Sequence, residues 1–347
     1  GAVGAAGTAT SVAGIPFYSA DNSIYTHDVS GTDSTASFNT AYGVTALDAI
    51  TTGDENVAIG FATLSALTTG TRNIAIGRQS ADEFDTENDN LAIGRSALGG
   101  AVAGGEFNVA IGNYSLDANT SGDYSVAIGY EASSSSTTSG GNVCIGYQAG
   151  KSITTGGGHL FIGELAGDNF DTENWNLGIG KNALGGPIAG GEYNVAIGAN
   201  TLDALTSGDN NVAIGYQAAT SLTTSNDNVI IGYNAAENAT TLAENVVIGH
   251  EAMGTGVATS AYNVAIGKEA ALQATSMSES VAIGYQSAEQ NTTGSNIIAI
   301  GYTAYDDADT ENHNLAIGTH ALGGSVAGGE YNVAVGNYTL DALTSGD

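Results

Sequence analysis

The sequence predicts an all-β parallel β-solenoid of about 18 coils, each 17 or 18 residues long. Three observations predict it: a pentapeptide close to Asn-Val-Ala-Ile-Gly that recurs along the chain, a nearly constant spacing between its closing glycines, and an alternation of side-chain types within it. A fixed period of this length indicates a stack of small units, in which each unit buries its apolar side chains against its neighbours.

The closing glycines set the register of the repeat. Eighteen of them run from Gly43 to Gly336, with thirteen spacings of 17 residues and four of 18. The extra residue of each longer coil falls in segments 99–105, 185–191, 254–261 and 323–329. An aromatic residue follows each segment: Phe107, Tyr193, Tyr262 and Tyr331. We predict wider turns at these four places, each covered by an aromatic ring.

The pentapeptide is predicted to be a short strand. Val57 and Ile59 share one face, whereas Asn56, Ala58 and Gly60 share the other, and β-branched residues bounded by glycine favour strand over helix. We expect the Val and Ile side chains to fill the interior. The ladder positions of the first complete coils are Asn56, Asn73, Asn90, Asn108, Val57, Ile59, Ile76, Ile93, Gly60, Gly77 and Gly94.

A second short strand is predicted three residues after each glycine, where a small residue is often followed by leucine, as at Leu47 and Leu64. A polar turn such as Thr68-Thr69-Gly70 then closes the coil. Two strands and two turns make a flattened roll, and 18 coils spaced at the usual strand separation would form a rod on the order of 85 Å long.

Two polar columns accompany the repeat. Asparagine opens fourteen of the eighteen pentapeptides, and identical amides stacked at strand spacing can hydrogen-bond along the column. A second ladder is expected from the hydroxyl residues eight positions before each glycine, such as Thr52, Thr69, Thr86, Ser121, Thr138 and Thr155. We expect both columns to have structural roles.

Residues 1–36 lack the repeat and are predicted to be an N-terminal connector or cap, with a flexible start over 1–14 and short strands at 15–18 and 23–27. Residues 37–347 form the repeat domain. The chain closes on Leu343-Thr344-Ser345-Gly346-Asp347, which matches the segment before another pentapeptide at Leu205 to Asp209, so we expect the repeats to continue beyond it.

Composition narrows the range of partners. The formal net charge is −30, with 6 Lys and Arg against 36 Asp and Glu, which excludes nucleic-acid binding through phosphate contacts and disfavours anionic membrane surfaces. No apolar run approaches the roughly 20 residues of a membrane span.

The single cysteine, Cys144, occupies the usual alanine position of a pentapeptide, and we expect a structural role for it.

Motifs that carry catalysis are not evident, and we expect neither enzymatic activity nor a cofactor. The five histidines have no zinc-ligand spacing with cysteine or carboxylate residues. Acidic turns recur at equivalent places, at 85–88, 171–174 and 309–312. Such turns could offer oxygen ligands to Ca²⁺, although solvated structural turns are the simpler interpretation.

Tyrosines directly after the closing glycine are the candidates for surface binding. They are Tyr130, Tyr147, Tyr216, Tyr233, Tyr285 and Tyr302. Charged residues such as Arg78, Lys181 and Glu164 share this position, which indicates an exposed column. A tyrosine column could bind sugars or protein partners, or it could only shield the turn.

The chain is expected to associate with itself. A thin coil encloses little core for its length, and the flat strip of Asn, Ala and Gly side chains would let a second β-layer approach closely. The pattern alone does not decide which face meets the partner.

The pentapeptides Ser125 to Gly129 and Ser280 to Gly284 resemble the left-handed parallel β-roll head of trimeric autotransporter adhesins. Longer forms such as Asn211 to Ala218 are similar to tandem repeats of bacteriophage tail-fibre and virion-fibre proteins. The resemblance covers roughly residues 37–347 and implies a left-handed roll and a homotrimeric rod. Adhesin heads usually have shorter coils, so the turn residues here fit the phage type better.

The expected function is therefore a structural fibre that forms a rigid trimeric rod, most simply a phage tail or virion fibre used in host attachment. The alternative is the head of a bacterial trimeric surface adhesin. Either role places the protein outside the cell, on a virion or on a bacterial surface, with a receptor or glycan bound through another region. An ice-binding solenoid is disfavoured because consecutive threonines such as Thr68 and Thr69 would point in opposite directions.

Overall fold

The structure is a computed structural model that describes residues 10–12, 15–20, 23–26, 35–100, 105–186, 190–324 and 328–343. Over these residues the chain forms an all-β parallel β-solenoid of about 17 turns, without helix. The fold class predicted from the repeat is confirmed. One strand forms per coil, because only the three central residues of the pentapeptide are extended.

Three strands precede the repeats: β1 (Thr10–Val12), β2 (Ile15–Ala20) and β3 (Ser23–Tyr25). The repeat strands are β4 (Thr40–Tyr42), β5 (Val57–Ile59), β6 (Ile74–Ile76), β7 (Leu91–Ile93), β8 (Val109–Ile111), β9 (Val126–Ile128), β10 (Val143–Ile145), β11 (Leu160–Ile162), β12 (Leu177–Ile179), β13 (Val195–Ile197), β14 (Val212–Ile214), β15 (Val229–Ile231), β16 (Val246–Ile248), β17 (Val264–Ile266), β18 (Val281–Ile283), β19 (Ile298–Ile300), β20 (Leu315–Ile317) and β21 (Val333–Val335).

The first three strands lead into the repeats. β1 pairs antiparallel with β2, β2 pairs antiparallel with β3, and β3 pairs parallel with β4. The predicted strands at 15–18 and 23–27 correspond to β2 and β3. The segment expected to be flexible, 1–14, contains β1, while its remaining residues, 1–9 and 13–14, lie outside the described part of the chain, as does residue 27.

Residue contacts divide the chain into two units, 1–174 and 175–347. Within each unit, neighbouring repeat strands pair in parallel so that equivalent residues lie side by side. In the first unit Val57 is opposite Ile74, and in the second Val264 is opposite Val281. Because of this pairing, residues at the same position of the repeat lie above one another in a column along the stack.

The interior is lined by small and branched residues and not by the Val and Ile of the strands. The central strand residue is buried, as at Ala58 (0% exposed), whereas Ile59 is 38% exposed. Leu64 and Leu67, four and seven residues after Gly60, are both 0% exposed and fill the interior from the other sides of the coil. The predicted Val and Ile interior is therefore wrong: the central residue of the strand, alanine in most coils, faces the interior instead.

The predicted second strand is also wrong. Ala62 and Leu64 have φ values of 53° and 49°, in the left-handed region that non-glycine residues visit rarely. Alternating left-handed residues curve this segment into a turn and aim its amides along the stack. The Ala62 N–H donates to the Val44 carbonyl of the preceding coil (2.9 Å), and the Leu64 N–H donates to the Ser80 carbonyl of the following one (3.1 Å).

In the coil of β11, two interior residues depart from the repeat, and their changes in side-chain volume compensate for each other. Phe161 stands where most coils have alanine, and its ring packs against Phe170 with a centroid distance of 4.9 Å. Gly167 stands six residues later, where most coils have a larger residue, and a Cβ built on it would lie 2.4 Å from the Phe161 ring. Cys144 is buried in the coil before and has Gly150 in the same relation, with a built Cβ 2.5 Å from its Sγ. Side-chain volume is thus balanced within each coil.

Candidate functional site: the outward strand face and its flanking columns

We call the outward side chains of the first and third residues of β4–β21 the strand face. Because side chains alternate along a strand, burying the central alanine directs its Val and Ile neighbours outward. Most are half-buried in their coils, while Ile74 and Ile298 are 42% exposed. Each unit therefore presents an apolar ladder of β-branched residues to the outside, a surface of the kind that marks protein association.

The same alternation continues beyond both ends of each strand. We call the residues two positions before the strand the N-side column, for example Glu55 before β5, and the residues two positions after it the C-side column, for example Phe61. Apart from Asp89 and a few small residues, members of both columns are exposed. The outward surface of a coil is thus four side chains wide, with β-branched residues in the middle.

The six tyrosines predicted for surface binding all lie in the C-side column and are exposed. They form three separate stacks, Tyr130 on Tyr147 (5.6 Å between centroids), Tyr216 on Tyr233 (5.4 Å) and Tyr285 on Tyr302 (5.2 Å). Because each ring covers a face of its neighbour, stacking along the column stabilises the coils, and the ring edges are the parts that face outward.

Cations also lie over two aromatic rings of the C-side column. Lys268 Nζ lies 5.7 Å from the Tyr285 centroid, and Arg78 lies 5.8 Å from that of Phe61. Both cations belong to the C-side column, one coil from the ring they cover. Such contacts contribute modestly at exposed sites and keep positive charge close to the strand face.

The N-side column is a second aromatic and charged column, which the sequence did not reveal as a column, although four of its aromatic residues were predicted to cover the widened turns. Phe107 stacks on Tyr124 with centroids 5.1 Å apart, and Arg72 donates to both carboxylate oxygens of Asp89 at 2.6 and 2.7 Å. Phe107 was predicted to cover the widened turn at 99–105, of which residues 101–104 lie outside the described part of the chain; its ring stacks on the neighbouring coil and is 45% exposed. Extending the strand alternation by two residues would have found this column.

A shallow cavity of about 460 Å³ opens beside the first tyrosine stack and is lined by Tyr114, Asp117, Tyr130, Glu131, Ser134 and Lys151. The Lys151 ammonium, 2.6 Å from Glu131, lowers the pKa of that carboxyl to about 2, with help from Gln148 and Tyr130. Burial raises the pKa of Asp117. The cavity combines aromatic rings with hydrogen-bonding groups, but Glu131 and Lys151 are already paired with each other.

The predicted asparagine ladder lies inside the coil. Asn56 Oδ1 accepts from the Asn73 backbone N–H at 2.9 Å, and Asn56 Nδ2 donates to the Gly70 carbonyl at 2.9 Å. Asn73, Asn90 and Asn108 are buried and repeat the pattern. Each amide thus joins one coil to the next. This role is structural, because both the Oδ1 and the Nδ2 atom are engaged in hydrogen bonds to the backbone.

The closing glycines are required by close approach of the coils. Gly60 has a φ of 141°, and a Cβ built on it would lie 2.3 Å from the Gly77 carbonyl oxygen of the next coil. Gly77 and Gly94 are in the same position relative to their own neighbours. Any side chain at these positions would separate the strands, so the glycine column sets how closely the coils stack.

The hydroxyl ladder is displaced by one residue from the predicted positions. Thr51 Oγ1 donates to the Thr68 carbonyl at 2.9 Å, and the residues of this column lie nine positions before the closing glycine. Thr52 and Thr69, eight positions before it, are exposed. Adjacent threonines therefore point in opposite directions, and only the inner one satisfies the turn backbone.

The acidic turns considered for calcium hold their oxygens with protein donors. Glu87 is buried, and its Oε2 accepts from the backbone N–H groups of Asp85 (2.6 Å) and Thr86 (2.9 Å). Asp85 accepts from the Thr68 hydroxyl, and Asn88 Oδ1 accepts from the Thr71 N–H at 2.8 Å. Among the residues that the structure describes, no group of three or more His, Cys, Asp or Glu side chains is arranged to hold a metal ion.

Among the described residues, no helix has the length and apolar character needed to cross a membrane. Comparison of the chain with protein-family models and with curated proteins found no match.

Proposed function

We propose that this chain is a structural fibre protein that assembles into a rigid homotrimeric rod, as part of a phage tail or virion fibre used in host attachment. The observation that carries the proposal is the strand face. The interior of most coils is filled mainly by alanine, leucine and asparagine, yet the outward Val and Ile of the strands remain partly exposed. Covering them by association would stabilise the assembly, at roughly 25 cal/mol for each Å² of apolar surface buried.

Several features support a mechanical role rather than a chemical one. Identical strands, buried amides and closing glycines join each coil to the next by hydrogen bonds within each unit. The sequence carries a formal charge of −30, which suits an extracellular surface exposed to salt. In this proposal a receptor or glycan is bound by another region, and the repeats supply length and stiffness. The resemblance of the longer pentapeptides to phage fibre repeats favours the virion.

The assembly is tested by sedimentation equilibrium at micromolar concentration. The expected mass is about three times the 34.5 kDa of one chain, and a monomer would overturn the proposal. Ile266→Asp, on the strand face, is expected to abolish assembly because it would bring acidic groups together at the interface. Ser276→Asp is the matched control: it adds the same charge at an exposed turn and should leave the mass unchanged.

The biological setting is tested by labelling with an antibody against the chain. Binding to purified phage particles would support the virion fibre, and binding to intact bacterial cells would support the alternative, the head of a trimeric surface adhesin. The alternative rests on the pentapeptides Ser125 to Gly129 and Ser280 to Gly284, which resemble those of adhesin heads.

A further inference from the structure

Positive charge is placed unevenly on this acidic chain. Of the six Lys and Arg residues, five lie in the two columns beside the strand face: Arg72 on the N-side, and Arg78, Arg95, Lys181 and Lys268 on the C-side. A chain with a net charge of −30 would repel copies of itself. Cations concentrated along one border of an apolar surface would offset that repulsion where the copies meet.

The two columns are complementary in four successive coils of the second unit, those of β15–β18. Three coils have an acid on the N-side and a hydrogen-bond donor on the C-side: Asp227 with Tyr233, Glu244 with His250, and Glu279 with Tyr285. In the coil of β17 the order is a ring and a cation, Tyr262 with Lys268. These are the pairings expected of two surfaces that bind each other.

The paired residues do not meet within one chain. Six residues of extended chain separate the two columns of a coil, a distance of about 20 Å. Lys268 is within reach of Glu269, with Nζ and Oε1 3.0 Å apart, and of the Tyr285 ring, but not of Tyr262 across the strand. The complementarity is therefore explained by contact between different copies.

We propose that copies of this chain associate in parallel and in the same coil register, with the C-side column of each copy against the N-side column of the next. The proposal rests on the self-association put forward above. In a ring with rotational symmetry, one border of each strand face lies against the opposite border of its neighbour. Six residues of a 17-residue coil rise by about 1.7 Å of the roughly 4.8 Å strand spacing. Lys268 then lies between Tyr262 and Glu279 of the neighbouring copy.

Other arrangements lose this match. An antiparallel pair would place N-side against N-side, and with the coils of β15–β18 overlapping, Asp227 of one copy would face Glu279 of the other. Like charges placed opposite each other disfavour an interface. A parallel pair shifted by several coils would keep the apolar contact but lose the pairing of the columns. The columns therefore specify direction and register, while the strand face supplies most of the affinity.

Thiol cross-linking tests the arrangement. In a Cys144→Ala background, which places the usual alanine at that position, Tyr262→Cys and Lys268→Cys are combined and treated with a short thiol-specific cross-linker. The expected product is a covalent trimer on denaturing gels, because each copy offers one thiol to each neighbour. The shifted control, Asn210→Cys with Lys268→Cys, places the two thiols about 16 Å apart along the stack and should give far less product.

The outcomes separate the inference from the proposed function. Cross-linking by Lys268→Cys alone would mean that C-side columns meet each other, which would overturn the parallel arrangement. A sedimentation mass of a trimer with no cross-linked product, or with equal product from the shifted control, would overturn the register but leave the proposed fibre intact. A monomeric mass for the unmodified chain would overturn both.

Discussion

Gly167 is predicted to be required because Phe161 occupies the space that its side chain would need. A Cβ built on Gly167 lies 2.4–2.5 Å from three atoms of the Phe161 ring, and the backbone φ at this position is 57°. Forcing a side chain into a packed interior costs about 1–3 kcal/mol, and a left-handed φ costs a non-glycine residue about 1 kcal/mol. Gly167→Ala should therefore lower the free energy of unfolding by roughly 2–4 kcal/mol.

Gly141 provides the control for the backbone contribution. Its φ is 70°, also left-handed, and a Cβ built on it has no atom within 4 Å. Gly141→Ala should therefore cost only about 1 kcal/mol. The difference between the two glycine variants measures the clash with Phe161 and is expected to be about 1–3 kcal/mol.

A double-mutant cycle tests the assignment to Phe161. Phe161→Ala alone should cost about 3–5 kcal/mol through the cavity it leaves, but in that background Gly167→Ala should cost no more than Gly141→Ala. Unfolding is followed by circular dichroism in guanidinium at one fixed protein concentration, since association couples stability to concentration. Equal costs of Gly167→Ala with and without Phe161 would refute the reasoning.

Three further predictions concern other parts of the repeat. Asn73→Ala removes one rung of the buried amide ladder and should cost about 1–3 kcal/mol in the same unfolding assay; Thr69→Ala, at an exposed position, should change stability by less than about 0.5 kcal/mol, and equal effects would contradict the ladder. Burial raises the pKa of Asp306 from 3.8 to about 6, so the folded chain holds an extra proton between these values and loses stability as the pH rises from about 4 to 6. Asp306→Asn should therefore have a melting temperature above that of the unmodified chain at pH 7.5 but not at pH 4, and a difference that does not vary with pH would contradict this. Burial raises the pKa of the Cys144 thiol to about 12, so a thiol reagent at pH 8 should label it only in denaturant, and rapid labelling of the native chain would contradict its placement.

The fold was predictable because the 17- or 18-residue repeat can be recognised in the sequence without any knowledge of side-chain packing. The constant glycine spacing and the alternation of Asn56 to Gly60 were enough to predict parallel strands stacked in register. The orientation of the strand was not predictable in the same way. Alternation divides residues between two faces, but it does not say which face is inside, and placing the larger apolar residues inside is the usual expectation.

The leucine columns determine which face of the strand points into the coil. The pentapeptide does not contain these leucines, so it could not predict that orientation. Leu64 and Leu67 lie in the turn region, and their left-handed and irregular backbone brings them over the strand, where they occupy the space that Val and Ile would need. Sequence patterns predict such conformations poorly because leucine rarely adopts a positive φ. The hydroxyl ladder was displaced for a related reason: in a Thr-Thr pair, the turn geometry decides which residue faces the backbone.

The candidate site could be predicted in part. The tyrosines of the C-side column were found from the sequence because they follow an easily recognised glycine. The N-side column was not recognised as a column because its residues, such as Asp227 and Glu244, differ in chemistry from coil to coil, and Tyr262 was predicted only to cover a widened turn. What they share is a position relative to the strand, and that position has meaning only once the outward direction of the strand is known.

Each coil satisfies its interior hydrogen bonds against neighbouring coils, but it leaves the apolar side chains of the strand face partly exposed. The hydrogen bonds of the strands, amides and turns are satisfied along the stack, so a single chain can form the coils without a partner. The strand face gains nothing from that stacking beyond half-burial of its Val and Ile side chains. Stability along the stack and association across the strand face therefore depend on different residues. For this reason Ile266→Asp should prevent assembly while the coils remain folded, whereas Gly167→Ala should unfold coils without weakening the interface directly.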